Sequence, residues 1–212
     1  LNRFLVLVSR SSRPPLPPVF IELTDHLRCP ADHDESFLVL LPELTEGRSV
    51  RTGTLGCPVC RVEYRIDGGV AIFAPRPDRS AVAPPISGTA LHALLGIAGP
   101  GGYAALVGDV TALAPSLARS VPGVHFAAVR PVAGLEESPA LSLIEADRLP
   151  FKRASLRGVV LGSGVGADPG WVTDAFRAVL PGLRVVGAGA APSIDGLEVL
   201  GAADGWWVGR KR

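Results

Sequence analysis

Short apolar runs alternate with longer mixed segments through the second half of the chain. The apolar runs predict buried strands at Tyr103 to Val107, Val124 to Val129, Leu141 to Glu145, Leu156 to Leu161 and Leu183 to Val186. The mixed segments predict helices at Thr89 to Leu95, Thr111 to Arg119 and Pro169 to Leu180. Strands that alternate with helices indicate an α/β fold, in which a mainly parallel, Rossmann-like sheet carries helices on both faces.

The end of the chain is predicted to close this sheet with a hairpin. Leu197 to Leu200 and Trp206 to Gly209 are largely apolar, and Asp204-Gly205 between them is typical of a tight turn. The stretch from Gly187 to Gly196 is too short and too rich in Gly and Pro for another helix. We therefore predict a shortened α/β domain over residues 87–212.

Proline clusters divide the rest of the chain. Pro14 to Pro18 predicts an extended arm over residues 1–20, and residues 75–86 predict a Pro-rich linker. The segment between them, residues 21–74, predicts a small β-rich unit. Its predicted elements are a helix at Ile21 to Leu27, a strand at Ser36 to Leu41, and a strand pair from Tyr64 to Phe73 that turns at Asp67-Gly68-Gly69.

Hydropathy and charge narrow the classes of function. Hydrophobic residues make up 47% of the 212 residues, charged residues make up 19%, and the mean hydropathy is +0.32. No uninterrupted apolar stretch approaches the roughly 20 residues of a membrane span, and Phe4 to Val8 is too short for a signal-peptide core. We predict a cytoplasmic chain whose surplus apolar surface lies in a core or against other protein subunits, including those of a membrane-bound complex contacted from its cytoplasmic side. At a net charge of +1, no nucleic-acid partner is expected.

All three cysteines lie in the predicted β-rich unit. Cys57-Pro58-Val59-Cys60 has the spacing that lets two thiolates bind one metal ion, and Cys29 with His33 forms a candidate second pair. Thiolate and imidazole ligands in a closed set of four favour zinc in a structural role. The alternatives are free thiols or a disulfide between the two cysteines of the first pair, and His26 and Asp32 are reserve ligands.

The same segment resembles the zinc-ribbon family of Trm112-like proteins. The matching residues are Leu27-Arg28-Cys29-Pro30, Cys57-Pro58-Val59-Cys60 and Tyr64 to Val70. The family usually has a cysteine three residues after its first one, where this chain has Asp32, with His33 one place later. Members of the family are partners and activators of methyltransferases, so the resemblance implies a protein-binding platform rather than a catalytic unit.

Residues 87–212 resemble a class I methyltransferase of the small-molecule type. The matching residues are Glu145 to Phe151, the strand Leu156 to Leu161, and Ala175 to Val186 with its Pro-Gly turn. The resemblance implies a site for S-adenosylmethionine at the end of the first strand of the domain. There the family has a Gly-rich turn, and the corresponding residues here are Gly108 to Ala112.

Two of the three cofactor-binding features implied by the family are altered. Gly108 is kept, but Val110 is expected to place a β-branched side chain where the cofactor approaches. Arg130 stands where an acidic residue should accept hydrogen bonds from the ribose, and an Arg side chain has donors only. Glu145 matches the acidic position near the adenine. We predict that Gly108 and Glu145 are remnants of a degenerate site that has lost S-adenosylmethionine binding.

These expectations favour a non-catalytic accessory or scaffold subunit of a larger assembly. One alternative is an active methyltransferase with an unusual cofactor turn, which would act on an unknown small molecule or protein. Another is a zinc-dependent regulator whose N-terminal unit binds and activates a separate enzyme. Trp206 and Trp207 are candidate anchors for a partner, since Trp is enriched at interface hot spots, and the alternative is that they pack against the sheet.

Overall fold

The computed structural model describes residues 19–75, 83–135 and 139–212. Most of the predicted arm and of the predicted linker therefore lies outside the described residues. The strands are β1 (Val19–Phe20), β2 (Val39–Glu46), β3 (Ser49–Gly56), β4 (Glu63–Asp67), β5 (Val70–Ile72), β6 (Tyr103–Val107), β7 (His125–Val129), β8 (Leu141–Glu145), β9 (Leu156–Leu161), β10 (Val179–Ala188), β11 (Leu197–Ala203) and β12 (Trp206–Lys211). The helices are α1 (Ile21–Thr24), α2 (Gly88–Leu95), α3 (Ala114–Ser120) and α4 (Pro169–Ala178), with a 3₁₀ helix at Gly108–Leu113.

The second half of the chain forms a mainly parallel sheet with the strand order β8-β7-β6-β9-β10-β12-β11. Strands β6 to β10 pair in parallel, and the β11–β12 hairpin closes the sheet because β12 lies antiparallel to β10. This mainly parallel topology confirms the predicted α/β class. Of the predicted strands, β6, β8 and β9 have the bounds expected from their apolar runs.

Helices cover both faces of this sheet. Along β6, Ala104 and Leu106 face one apolar cluster with α2 and α3, whereas Ala105 and Val107 face the other cluster with α4. Strands that are buried on both faces read as continuous apolar runs, which is why the sequence pattern located them well. Across the ranges that the structure describes, no helix is both long enough and apolar enough to cross a bilayer.

The N-terminal unit continues the same sheet. Strands β2 to β5 form an antiparallel meander, and β5 then pairs in parallel with β8, with Val70 opposite Leu143 and Ile72 opposite Glu145. The turn between β4 and β5 uses Gly68 and Gly69 at φ values of 57° and 84°, as the Asp-Gly-Gly pattern predicts. One sheet therefore runs through both parts of the chain. The boundaries predicted between the N-terminal unit and the α/β domain stay a prediction.

Polar contacts fix the N-terminal unit to the loop that follows β8. The backbone amide of Arg28 donates to Pro150, and that of Lys152 donates to His26. Arg177 of α4 is largely buried, donates to the carbonyl of Phe151 and forms an ion pair with Glu35. Because a buried guanidinium needs such partners, these contacts tie residues 26–36 to both α4 and the β8–β9 connection.

Several elements differ from their predicted form. Strand β2 is Val39–Glu46 rather than Ser36 to Leu41, α1 ends at Thr24 rather than Leu27, and the helix predicted from Thr111 is a 3₁₀ helix followed by α3. Strand β3 was not predicted, because its buried positions Val50, Gly53 and Leu55 are interrupted by Arg and Thr side chains. The helix predicted to end at Leu180 ends at Ala178, and β10 starts at Val179. The register of β10 against β9 shifts between Val179 and Arg184, which accommodates Pro181, a residue without a backbone donor.

A buried polar contact joins β1 to the sheet. The hydroxyl of Ser142 on β8 accepts a hydrogen bond from the Phe20 amide at 3.0 Å and lies 2.8 Å from His125 Nε2. The Phe20 ring stacks on the His125 ring at a centroid distance of 4.9 Å. A hydroxyl has one proton to donate and two lone pairs to accept with, so Ser142 pairs with His125 Nε2 as donor or as acceptor according to the imidazole tautomer.

We expect His125 to make folding sensitive to pH. Burial lowers the pKa of its imidazole from 6.5 to about 4. Between these values the unfolded chain binds more protons than the folded chain, so stability falls as the pH decreases from about 6.5 to about 4, by at most about 3 kcal/mol. Urea unfolding at several pH values should show that His125→Gln loses this component while His92→Gln keeps it. Parallel pH profiles for wild type and His125→Gln would contradict the assignment.

Candidate functional site

Four metal-ligating side chains meet at the base of the N-terminal unit. Cys29 follows the bridge to the β8–β9 connection, His33 lies in the next turn, and Cys57 and Cys60 lie in the tight turn between β3 and β4. The ligand atoms of these four residues all lie within 4.8 Å of one another. The structure thus brings together the set predicted from the sequence, and the reserve candidates His26 and Asp32 lie outside the group.

Two of the distances within this group match a tetrahedral zinc ion. Zn–S bonds of about 2.3 Å at tetrahedral angles separate two sulfur atoms by about 3.8 Å, and a sulfur and a nitrogen by about 3.6 Å. The Sγ atoms of Cys29 and Cys60 lie 3.6 Å apart, and Cys57 Sγ lies 3.4 Å from His33 Nε2. All four ligand atoms lie within 4.8 Å of one another, so the longest separation exceeds the tetrahedral value by at most about 1 Å, and small side-chain shifts would close this three-sulfur, one-nitrogen set around zinc.

The surroundings of Cys57 favour its thiolate form, which is the form that binds metal. Burial acts to raise the pKa of this thiol. The backbone amides of Cys60 and Val59 and the neighbouring thiols outweigh burial and lower the pKa to about 6. Amides that point at a sulfur from a tight turn are a preformed environment for a negative charge.

The other ligands are oriented by groups around them. His33 Nδ1 contacts the carbonyl oxygen of Asp34 at 2.6 Å, so Nδ1 carries the proton and Nε2 is left to face the cysteines. Cys29 Sγ lies 3.3 Å from the hydroxyl of Tyr64 on β4. Burial and this contact raise the pKa of Tyr64, which keeps the phenol protonated as a donor to the sulfur. Sequence patterns did not reveal Tyr64 as part of the site, because its role depends on the β3–β4 register.

A second candidate site lies at the carboxyl ends of the parallel strands. A crevice of about 610 Å³ opens where β6, β7 and β9 end, and it is lined by Gly108, Asp109, Arg130 and Ser163 among others. Gly108 has a φ of +79°, which turns the chain sharply away from β6. This is the edge of a doubly wound sheet where ligands bind in proteins of this architecture.

Arg130 supplies the positive charge of the crevice. It follows β7 at a φ of 55°, and its guanidinium lies 5.6 Å from the ring centre of Trp171 at the start of α4. The carboxylate of Asp109 accepts a hydrogen bond from the backbone amide of Ser163 at 2.9 Å. The carboxylate of Asp109 is therefore already engaged, because it holds the loop that follows β9.

The structure corrects the expected role of Val110. Its side chain is fully buried in the cluster formed with α2, α3 and β6, and it does not line the crevice. The 3₁₀ helix that begins at Gly108 turns Val110 inward and exposes Asp109 instead. Glu145 is also buried, at 3% exposure, and lies outside the crevice lining. Of the two predicted cofactor-binding remnants, the crevice includes Gly108 alone.

The glycines after β9 serve close packing. A Cβ at Gly162 would lie 2.0 Å from Asp109 Oδ1, and a Cβ at Gly166 would lie 2.3 Å from the backbone of Ala188. These two positions allow the β9 loop to approach the ends of β6 and β10. Gly164 has a φ of +78° and lines the crevice.

Trp206 and Trp207 lie within the molecule. Trp206 is 6% exposed and Trp207 is fully buried, with its indole N–H donating to the carbonyl of Gly166 at 3.1 Å. Of the two alternatives considered for this pair, the structure shows packing against the sheet. Little indole surface is left for a partner.

Comparisons with known proteins give partial structural similarities only. No protein-family model matches the chain, and neither does any curated protein. Among solved structures, a chain of the complex between the Haloferax volcanii Trm112 methyltransferase activator and a methyltransferase is similar at 21% identity and a TM-score of 0.38, over 47% of this chain and 50% of that one. An Anabaena variabilis methyltransferase from an antibiotic biosynthesis pathway is similar at 19% identity and a TM-score of 0.38, over 47% and 42% of the two chains.

A third similar structure is phosphoethanolamine N-methyltransferase 2 of Haemonchus contortus in complex with S-adenosyl-L-methionine. It is 16% identical, with a TM-score of 0.40, over 51% of this chain and 30% of that one. This chain thus spans half or less of each of the three solved chains. Its activity, ligands and partners are accordingly matters of proposal.

Proposed function

We propose that this chain is a non-catalytic accessory subunit, built on a methyltransferase-like sheet that no longer binds S-adenosylmethionine. Arg130 carries the proposal. It lines the crevice at the end of β7, where a carboxylate would have to accept hydrogen bonds from the ribose hydroxyls. A guanidinium has no acceptor atom, so the described residues do not fit the cofactor at this position.

The crevice also offers few groups for chemistry. Among its described lining residues there is no His, Cys, Lys or Tyr, and the carboxylate of Asp109 is engaged by the Ser163 amide. No helix covers the β8–β9 connection or the β10–β11 connection, so these two parts of the domain are short. An accessory role needs none of the missing groups.

The Cys/His group supports a structural zinc ion within this proposal. Cys29, His33, Cys57 and Cys60 would hold the ion with no position left for a substrate. Bound there, zinc would fix residues 29–33 and the β3–β4 turn to each other. We further propose that this unit is Trm112-like and that it takes part in binding other protein subunits. Strand β5 is already paired with β8 of the same chain. This pairing favours a unit that acts within its own chain over one that binds and activates a separate enzyme.

An active methyltransferase is the second candidate, and a specific observation favours it. The crevice is open, and Val110 does not obstruct it. Such an enzyme would bind S-adenosylmethionine in the open crevice without a carboxylate that contacts the ribose. Its substrate would be an unknown small molecule or protein, as the resemblance implies.

Calorimetric titration of the zinc-loaded chain with S-adenosylmethionine separates the two candidates. We expect no binding up to about 1 mM, which corresponds to a site weaker than about −4 kcal/mol. A 1:1 complex that tightens in Arg130→Glu, where an acceptor is restored, would mean that the wild-type residue opposes an otherwise intact site. Saturable 1:1 binding by the wild-type chain itself would overturn the accessory proposal and favour the enzyme.

A further inference from the structure

Strand β2 forms one open edge of the sheet. Within the described ranges it pairs with β3 alone, so its other edge presents unpaired backbone amides and carbonyls. Leu38 and Leu40 point into the apolar cluster beneath the sheet, whereas Phe37, Val39 and Leu41 point outward. Open edges attract further strands, and proteins usually blunt them with charged side chains.

The outward face of this edge is apolar instead. Phe37, Val39 and Leu41 are 55%, 43% and 57% exposed, and they follow one another at every second position. The strands beside β2 do not continue the apolar surface, since their outward residues include Thr54 on β3 and Arg65 on β4. The exposed apolar stripe, defined as Phe37, Val39 and Leu41, is thus confined to the edge.

Acidic residues flank the apolar stripe at both ends. Residues 30–47 contain five acidic residues and no Lys or Arg. Two of the five are ion-paired, Glu35 with Arg177 and Glu46 with Arg51. The remaining three, Asp32, Asp34 and Glu43, make no ion pair with any described residue. The edge therefore combines unpaired backbone groups, an apolar centre and uncompensated negative charge on both sides.

We propose that the β2 edge binds an extended segment of a partner protein, with apolar residues at alternate positions and Lys or Arg at both ends. Such a segment would add a strand beside Val39–Leu41, cover the apolar stripe with its own alternate side chains, and neutralise the flanking acids. Pro42 and the register shifts after it limit the paired region to the first half of β2. The inference rests on the proposed function only in that an accessory subunit requires a partner.

Two other occupants fit less well. A second copy paired through β2 would bring the same acidic flanks together, and like charges oppose such a contact. The opposite sheet edge, β11, also exposes Val199 and Leu200, but its acidic residue Glu198 is already paired with Arg210. Of these two edge strands, β2 is the one flanked by acidic side chains that no ion pair neutralises, so these side chains can attract a basic partner.

A labelled peptide Lys-Lys-Val-Thr-Val-Thr-Val-Lys-Lys tests the proposal by fluorescence anisotropy with the full zinc-loaded chain. We expect binding that is at least tenfold tighter than that of the same peptide with Glu in place of every Lys. Leu41→Lys should weaken binding at least tenfold, because it places a charge in the apolar stripe. Leu200→Lys is the matched control on the other edge strand and should leave binding unchanged.

Each other outcome overturns the proposal. Equal binding of the two peptides would show that the acidic flanks select nothing, and equal loss in Leu200→Lys would show that the β2 edge is not the site. A wild-type dimer that Leu41→Lys dissociates would make a second copy the occupant. Peptide binding that appears only after Val6→Lys would mean that the basic and apolar residues 3–10 of this chain compete for the edge. S-adenosylmethionine titration tests the proposed function separately, so the two can fail independently.

Discussion

Replacement of Cys57 by Ser is expected to remove one zinc ion per chain and to unfold the N-terminal unit. Cys57 is buried and contributes one of four ligands. Structural zinc sites supply about 10–16 kcal/mol of apparent binding free energy, which is comparable to the whole stability of a domain. Since β5 pairs with β8, the change should also weaken the sheet beyond the unit. Metal content by mass spectrometry and thermal unfolding by circular dichroism measure both effects.

The controls for this experiment come from the residues that the structure leaves out of the group. Asp32→Asn and His26→Ala should keep a full zinc ion, because neither side chain belongs to the four. Chelation of the wild-type chain should reproduce the loss of folding seen in Cys57→Ser. If Cys57→Ser and wild type unfold at the same temperature with the same zinc content, the proposed metal site is wrong.

Replacement of Trp207 by Ala is expected to destabilise the chain by about 3–5 kcal/mol, through the cavity left in the core. The indole is fully buried and packs on Gly187, where a Cβ would lie 2.4 Å from the ring. Its N–H also satisfies the carbonyl of Gly166. Urea or thermal unfolding measures the loss, which at this chain length corresponds to a fall in Tm of roughly 6–20 °C.

Two further variants separate packing from partner binding. Trp207→Phe keeps much of the apolar bulk and should lose about 1–2 kcal/mol, mainly from the unsatisfied Gly166 carbonyl. Leu200→Ala, on the exposed side of β11, should change stability by less than about 0.5 kcal/mol. A Trp207→Ala chain that folds as stably as wild type but loses a partner would instead support the anchor role.

The sequence pattern predicted the parallel sheet well for a physical reason. Strands such as β6 and β9 are buried on both faces, so β6 is apolar throughout, β9 is interrupted only by Arg157 and Gly158, and both are followed by Gly. Strand β3 has only three buried positions, and the partly buried Arg and Thr side chains between them interrupt its apolar pattern. The register shift at Pro181 depends on the pairing of β10 with β9, which a single segment does not reveal.

The candidate site was also only partly predictable. The short spacing between Cys57 and Cys60, and between Cys29 and His33, identified the Cys/His group. Two ligands a few residues apart can bind one ion whatever the fold around them. The direction of Val110 depends on the 3₁₀ geometry after Gly108, and the burial of Trp207 depends on Gly187 on the adjacent strand. Both are properties of packing between elements rather than of any local pattern.

The parallel pairing of β5 with β8 has a consequence for how this protein behaves at low concentration. Two separate polypeptides joined by such a short strand contact would dissociate on dilution. Here both strands belong to one chain, so the effective concentration of one for the other is set by the tether and lies on the order of millimolar. The cysteine-bearing unit is therefore supplied at a fixed one-to-one ratio, whatever the expression level of the protein.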